Sequence, residues 1–566
     1  MIGKVGTFAI SFLLAYSALV GAPAAAPETE DVALQQAREL LTGEHKDTEQ
    51  AKKLLLEMVQ GKGRDPLSLS YAYVYPGYID DKAGSRQLAI EWFQKALAVE
   101  GAPAGILDVA RRGLTRPITW IRHLDSVEAT APQGNPPANP TPAARPKKAY
   151  LTDQRPVGLA VATGLSAQER RENFEALWKS IDTTYACFAL KNIDWAEVGR
   201  RYRQRLDAVT GDDDFYLLMF QLVKELKDSH SWLQNYSVPQ VAYETVLRTD
   251  LFAGKPFVVA GAQAGWEVLS VDGATFKEKM DALRPYWYAF SSERAYRRDV
   301  ARHLLAGEKG SETRVQLRAP DGRTETLALR RELVVKNRPP VRALAFGLTR
   351  QRFVHFGRHP SGLGYIWVES INGREQVADE FDYALEQLRD TPGLILDLRD
   401  NTGGFGQQRI VGRFLRKRTL VDIAHVRNGP RHGDLARHDS YLDSTGKWQY
   451  TRPVALLVND LTGSAADLLA CNLRSARRVV TVGTTTYGNL SGVSVFAELP
   501  CGLVVRISKG YLSDAKGRPI EGNGNVPDIT VEPGVLDFLS GRDPVLDRAV
   551  SVILDRARVP GRSAVQ

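Results

Sequence analysis

Cysteine is scarce: the 566 residues hold three, Cys187, Cys471 and Cys501. An odd number leaves at least one thiol unpaired within the chain. Cys471 falls in an apolar helical pattern and Cys501 in a Pro-Cys-Gly turn, settings that predict buried, inert thiols. No Cys/His spacing suits zinc, no HExxH occurs, and there is no GxxxxGK[ST] phosphate loop, so no metal or cofactor is expected. Lysine and arginine are scattered and the formal charge is only +8, which argues against nucleic acid as a partner. Past the first 26 residues no apolar window is long enough to span a membrane.

What is present is ordinary globular material, 43% hydrophobic and 25% charged. The length exceeds one core, so two to four domains are expected. Residues 1–26 read as a signal peptide, with Lys4 ahead of an apolar stretch from Phe8 to Val20 and Ala24-Ala25-Ala26 as a cleavage site. No cysteine follows that would carry a lipid anchor, so the expectation is an exported protein, periplasmic or secreted. In residues 27–125, AKKLLLEMVQGKG from Ala51 and AIEWFQKALAVEG from Ala89 share helical spacing and a closing glycine. They resemble tetratricopeptide or Sel1 repeats and suggest a helical repeat domain able to dock a protein partner. Six prolines between Pro132 and Pro146 mark residues 126–150 as a linker.

The remainder is organised around PVALLVNDLTGSAADLLACN, Pro453 to Asn472. Val454 to Val458 is a continuous apolar run, the mark of a strand covered on both faces. Turn formers follow, and Ser464 opens a helical pattern. By itself such a serine reads as a helix N-cap. A serine at that junction also sits where ligands of open α/β sheets collect, beside unpaired N–H groups that could receive an oxyanion. From Gly364 the pattern alternates strand and helix, and GLILDLRDNTGG brings Gly403 and Gly404 to the same sheet edge. Residues 151–238 are helical and end in Lys227-Asp228-Ser229-His230-Ser231, where His230 is a candidate base. Residues 239–340 are β-rich, with a hairpin across Pro320-Asp321-Gly322 and a helical stretch from Phe276 to Leu305. The α/β core occupies 341–540, and 541–566 forms a terminal helix and tail.

LKDSHSWL, LILDLRDNTGG, VNDLTGSAADLLA, TVGTTTYGN and GRPIEGNGNVPDI, in this order, resemble the tail-specific (C-terminal processing) peptidases and the related tricorn core proteases, from about Ser166 to Pro533. The resemblance implies a crotonase/ClpP-like βαβ catalytic core, an N-terminal helical subdomain and a PDZ-like middle domain, although the carboxylate-binding Gly-Leu-Gly-Phe-like loop is missing. Tail-specific proteases carry a lysine base in a TFGKG segment, where this chain has Asn489, a side chain that cannot titrate. Lys509 lies close by in sequence but matches no base position. The tricorn-like tetrad has matching positions in Ser464, His230, Ser229 and Glu521. The implied function is an exported serine peptidase forming an acyl-enzyme on Ser464. His230 would act as general base, with Ser229 and Glu521 orienting it and the N–H groups of Gly403, Gly404 and Ala465 as oxyanion hole. Its substrate would be a peptide or unfolded protein. The competing reading is a non-catalytic peptide- or ligand-binding protein on the same fold.

Overall fold

A computed structural model of the chain describes residues 48–60, 66–82, 85–102, 150–152, 161–237, 243–334, 346–373 and 375–558, with isolated positions between 36 and 114. The predicted signal segment and the stretch from Pro132 to Pro146 lie outside the described residues. The chain divides into two compact units, one within residues 13–144 and one from 145 onward.

In the first unit the helices Thr48–Gln60, Pro66–Lys82 and Arg86–Leu97 bury Leu55, Met58, Tyr71, Tyr75 and Phe93 against one another. The two repeat-like segments fall on the first and third helices. Between them Asp80 accepts from Lys52 Nζ at 2.5 Å and Trp92 Nε1 at 2.9 Å, tying all three helices together.

The second unit is built on a seven-stranded sheet. Its order is Thr349–Arg350, Val354–Arg358, Gly364–Val368, Leu394–Asp397, Val454–Val458, Val480–Gly483, Ile529–Thr530. The five strands from Gly364 onward run parallel. Helices Glu375–Gln387, Gln407–Gly412 and Ala465–Ser475 cover one face, and Pro544–Arg558 covers the other. Burial on both sides is why LILD and VALLV are unbroken apolar runs. Arg399 locks the terminal helix down, donating to both Asp397 and Asp543 at 2.7 Å.

VDIAHVRN, within the stretch from Gly364 read as alternating strand and helix, belongs to a different sheet. Thr419–Arg427 pairs antiparallel with Leu435–Leu442 and with Val504–Asp514. The partner LARHDSYL is polar and half-exposed, which an antiparallel sheet tolerates and a doubly covered parallel strand does not. Ser491–Glu498 and Tyr150–Thr152 extend this sheet, and Trp232–Leu233 pairs with Val504–Asp514.

Three helices, Ala167–Thr184, Trp195–Leu206 and Asp212–Lys224, pack on the Ser491–Asp514 hairpin through Phe174, Leu177, Phe215, Leu222, Val505 and Ile507. The last of them therefore delivers Asp228 to Ser231 onto that hairpin. Residues 248–330 form a five-stranded antiparallel meander. Its two helices, Phe276–Leu283 and Glu293–Arg302, replace the single expected stretch, because Pro285 cannot continue a helix.

Candidate active site

Ser464 stands between Val454–Val458 and Ala465–Ser475 with φ +52° and ψ −122°, a region L-residues enter only under constraint. Such strain costs about 1–3 kcal/mol and is held by its surroundings. Here the brace is Asn489, whose Oδ1 accepts from Ser464 N–H at 2.5 Å. Asn489 thus stands where a lysine base was sought and holds the backbone of Ser464 instead. The loop carrying it is fixed by Asp467, fully buried in the first turn after Ser464. Asp467 accepts from Gly488 N at 2.6 Å, Asn489 N at 3.3 Å, Asn525 Nδ2 at 2.7 Å and the Thr486 hydroxyl. Asp467→Ala leaves these donors without an acceptor, and the expected loss is about 3 kcal/mol of folding stability. Chemical denaturation showing a change under 1 kcal/mol would contradict that role.

His230 meets Ser464 from the far side of the sequence, with Nε2 3.4 Å from Oγ. That distance is long, as such contacts often are before substrate tightens them. The opposite nitrogen, Nδ1, donates to the Ser491 carbonyl at 2.9 Å, leaving Nε2 as the acceptor that faces the hydroxyl. Burial and the Arg506 guanidinium push the imidazole down, to about 4, against the pull of Asp228, so it is neutral at pH 7.

Ser491 is gripped from two sides. Its hydroxyl donates to Asp228 Oδ1 at 2.6 Å and its N–H to Glu521 Oε2 at 2.7 Å. Asp228 also accepts from His230 N and from the Ser231 hydroxyl, both at 2.8 Å. Glu521 pairs through Oε1 with Lys191 Nζ at 2.5 Å, with the Glu521 side chain fully buried and that of Lys191 7% exposed. Asp228, Glu521 and Lys191 therefore share one enclosed space with two anions for one cation. Burial would lift Asp228, but Lys191, His230 and its hydrogen bonds hold it below the usual carboxylate range. Glu521 is the group that yields: burial lifts it and Lys191 pulls back, leaving it at about 7.

Of the four tetrad positions, the geometry brings Ser464 and His230 into contact. Glu521 reaches His230 through the backbone of Ser491, holding its N–H while its carbonyl accepts from Nδ1. Ser229 points elsewhere, its Oγ 3.4 Å from Ser291 Oγ. Asp228, Ser491 and Lys191 carry the support that sequence reasoning gave to Ser229. Only Asp228 left a signal, as an acid two residues before the histidine.

The predicted oxyanion donors divide in the same way. Gly403 backs onto Ser464, since a Cβ on it would lie 2.6 Å from Ser464 Cβ. Its N–H, however, is occupied by Asn401 Oδ1 at 2.9 Å. Gly404 N–H and Ala465 N–H have no acceptor among the described residues, and Gly404 takes φ +138°. Among the described residues no group of three or more His, Cys, Asp or Glu side chains is placed to hold a metal. Cys187, Cys471 and Cys501 are buried and form no disulfide among the described residues. A cavity of about 420 Å³ lies beside this centre, lined by Arg294, Arg298, Asp400, Asp460 and Phe538 but by neither Ser464 nor His230.

Residues 362–531 match the model of peptidase family S41, and residues 166–224 match the tricorn protease C1 domain. Over residues 362–531 the core is thus similar to peptidase family S41. Tricorn protease homolog 1 of Streptomyces coelicolor is 25% identical over 403 residues, covering 69% of this chain and 35% of the relative. The chloroplastic C-terminal processing peptidase of Tetradesmus obliquus is 28% identical over 286 residues, 50% of this chain and 56% of that one. The chain thus spans well under two thirds of either relative. The crystal structure of mature CPAF shares the fold, with a TM-score of 0.56 at 14% identity over 71% of this chain and 99% of that one. The S41 match contains Ser464, the Gly403-Gly404 loop and Glu521, while His230 enters from just beyond the C1 segment.

Proposed function

We propose that this chain is a serine peptidase that cleaves peptide bonds through an acyl-enzyme on Ser464. The observation that carries this reading is the strained Ser464, 3.4 Å from an imidazole whose other nitrogen is tied to a carbonyl. The hydroxyl proton passes to His230 Nε2 as Oγ attacks the substrate carbonyl. Gly404 and Ala465 N–H groups receive the oxyanion, and the Ser491 carbonyl with Asp228 behind it stabilises the imidazolium. Nε2 returns the proton to the leaving amine, and water repeats the sequence on the ester. A fluorophosphonate probe should label Ser464 and should not label Ser464→Ala; a folded wild-type protein that resists labelling refutes the assignment.

The substrate this reading assigns is a peptide or unfolded protein outside the cytoplasm, consistent with the signal-like first 26 residues. No helix among the described residues is long and apolar enough to cross a membrane. The N-terminal helices are assigned to partner docking, and deletion of residues 27–130 should leave turnover of short peptides unchanged.

Two groups set the pH response. His230, at about 4, stays an effective base down to mildly acidic pH. Glu521, at about 7, gains a proton as pH falls through neutrality and loosens its hold on Ser491. Turnover should therefore decline from pH 8 to 6, and Glu521→Gln should erase that limb at a lower plateau, leaving the one near 4. Stability runs the other way. The folded value of Glu521 lies above its ordinary 4.5, so this group contributes falling stability as pH rises from 4.5 to 7. A pH–rate profile unchanged in Glu521→Gln would exclude the carboxyl from control of the histidine.

A further inference from the structure

One helix of the middle domain touches all three loops that shape the active centre. Along Glu293–Arg302, residues Arg294, Arg298 and Arg302 recur at four-residue spacing and so share a face. Arg294 donates to the carbonyls of Thr486 at 2.6 Å and Tyr487 at 3.0 Å, in the loop whose Asn489 braces Ser464. Arg298 donates to Asp460 at 2.9 Å, in the turn that leads into Ser464. Arg302 donates to Asp400 at 3.2 Å, in the loop that leads to Gly403 and Gly404. Arg298 and Arg302 are joined behind this contact by one carboxylate, Asp250, which is 1% exposed and lies 3.1 Å from the Nε of each.

The two loops are also cross-tied. Asp400 N donates to Asn459 Oδ1 at 2.9 Å, and Asn459 Nδ2 donates back to Asp400 Oδ1 at 3.0 Å. Gly463 N donates to the Asn401 carbonyl at 2.9 Å. Asp400 itself sits at φ +62°, a conformation that needs external support. The oxyanion donors come one from each loop, Gly404 from the first and Ala465 from the second. Their separation is therefore set by these cross-ties and by whatever else holds Asp400 and Asp460 together. Within the described residues the Arg298–Asp250–Arg302 group spans that pair.

We propose that Arg298 and Arg302, yoked by Asp250, are positioning residues that fix the spacing of the two oxyanion donors, so that the middle domain is part of the catalytic scaffold. The inference rests on the peptidase reading. A planar guanidinium held by two carboxylates defines direction as well as distance, which a lysine ammonium does not. A displacement of about 1 Å at an oxyanion hole costs up to ~10²-fold in rate.

The test uses the full chain, p-nitrophenyl butyrate as a generic acyl donor, and fluorophosphonate endpoint labelling to count competent serines. Per labelled site, Arg302→Met should lower kcat by about 10- to 100-fold with KM within about 2-fold. Asp400→Asn should do the same, and the double variant should be no worse than either single change. Arg302→Lys should restore part of the rate. If Arg302→Met fails to fold by circular dichroism, Arg302→Lys and Asp400→Asn decide the matter by the same kcat measurement. A purely structural interface would lower the melting temperature and leave kcat per site unchanged, and that result overturns the inference. A wild-type protein that neither labels nor hydrolyses the ester overturns the peptidase reading instead.

Discussion

His230→Ala should lower kcat for a peptide or ester substrate by on the order of 10⁴- to 10⁶-fold, with little change in KM. The reason is geometric. Nε2 is the basic group 3.4 Å from Ser464 Oγ, and a serine hydroxyl is a poor nucleophile until its proton has somewhere to go. The alternatives nearby do not serve. Asn489 carries an amide, and Asp467 is wrapped by four donors that hold it away from the reacting oxygen. Lys191 is committed to Glu521. The variant should still fold, because the change removes one hydrogen bond to Ser491, about 1 kcal/mol. Equal melting curves with a collapse of kcat would place the loss in chemistry. A kcat within 10-fold of wild type would show that another group takes the proton.

The sequence exposed the frame of this site better than its supports, for a physical reason. VALLV, LILD and GYIWV are recognisable because burial on both faces demands unbroken apolar runs. Ser464 and the two glycines are recognisable because they follow such runs. His230 is legible only as a histidine at a helix end, and its placement depends on the Ser491–Asp514 hairpin that the helical subdomain covers. Ser491 acts mainly through its carbonyl, and any residue has one, so no side-chain pattern points to it. Lys191 lies 330 positions from Glu521, in a segment with no periodic signal. Gly403 and Gly404 are indistinguishable in sequence. Only the position of Asn401 Oδ1 shows which N–H is occupied and which is open.

That difference leads to the second large effect. Gly404→Ala should reduce kcat by about 10²- to 10³-fold. A Cβ at position 404 would lie 2.1 Å from the carbonyl carbon and oxygen of Ile371, backbone atoms that cannot swing aside. The required φ of +138° is closed to an alanine as well. The loop must therefore rotate, which breaks the bridge formed by Ile371 N to Gly403 O at 3.0 Å and Phe405 N to Ile371 O at 2.7 Å. It also displaces the Gly404 N–H, which has no acceptor among the described residues. Strain at this point lowers stability as well, by about 1–3 kcal/mol, so kcat alone does not identify the cause. The distinguishing measurement compares two ligands on the folded variant. A peptide aldehyde forms a tetrahedral adduct on Ser464 and uses the oxyanion hole, whereas the corresponding peptide acid does not. Affinity for the aldehyde should fall by about the same factor as kcat while affinity for the acid is retained. Equal weakening of both would mean that the cleft has been deformed as a whole and that Gly404 supplies no oxyanion donor.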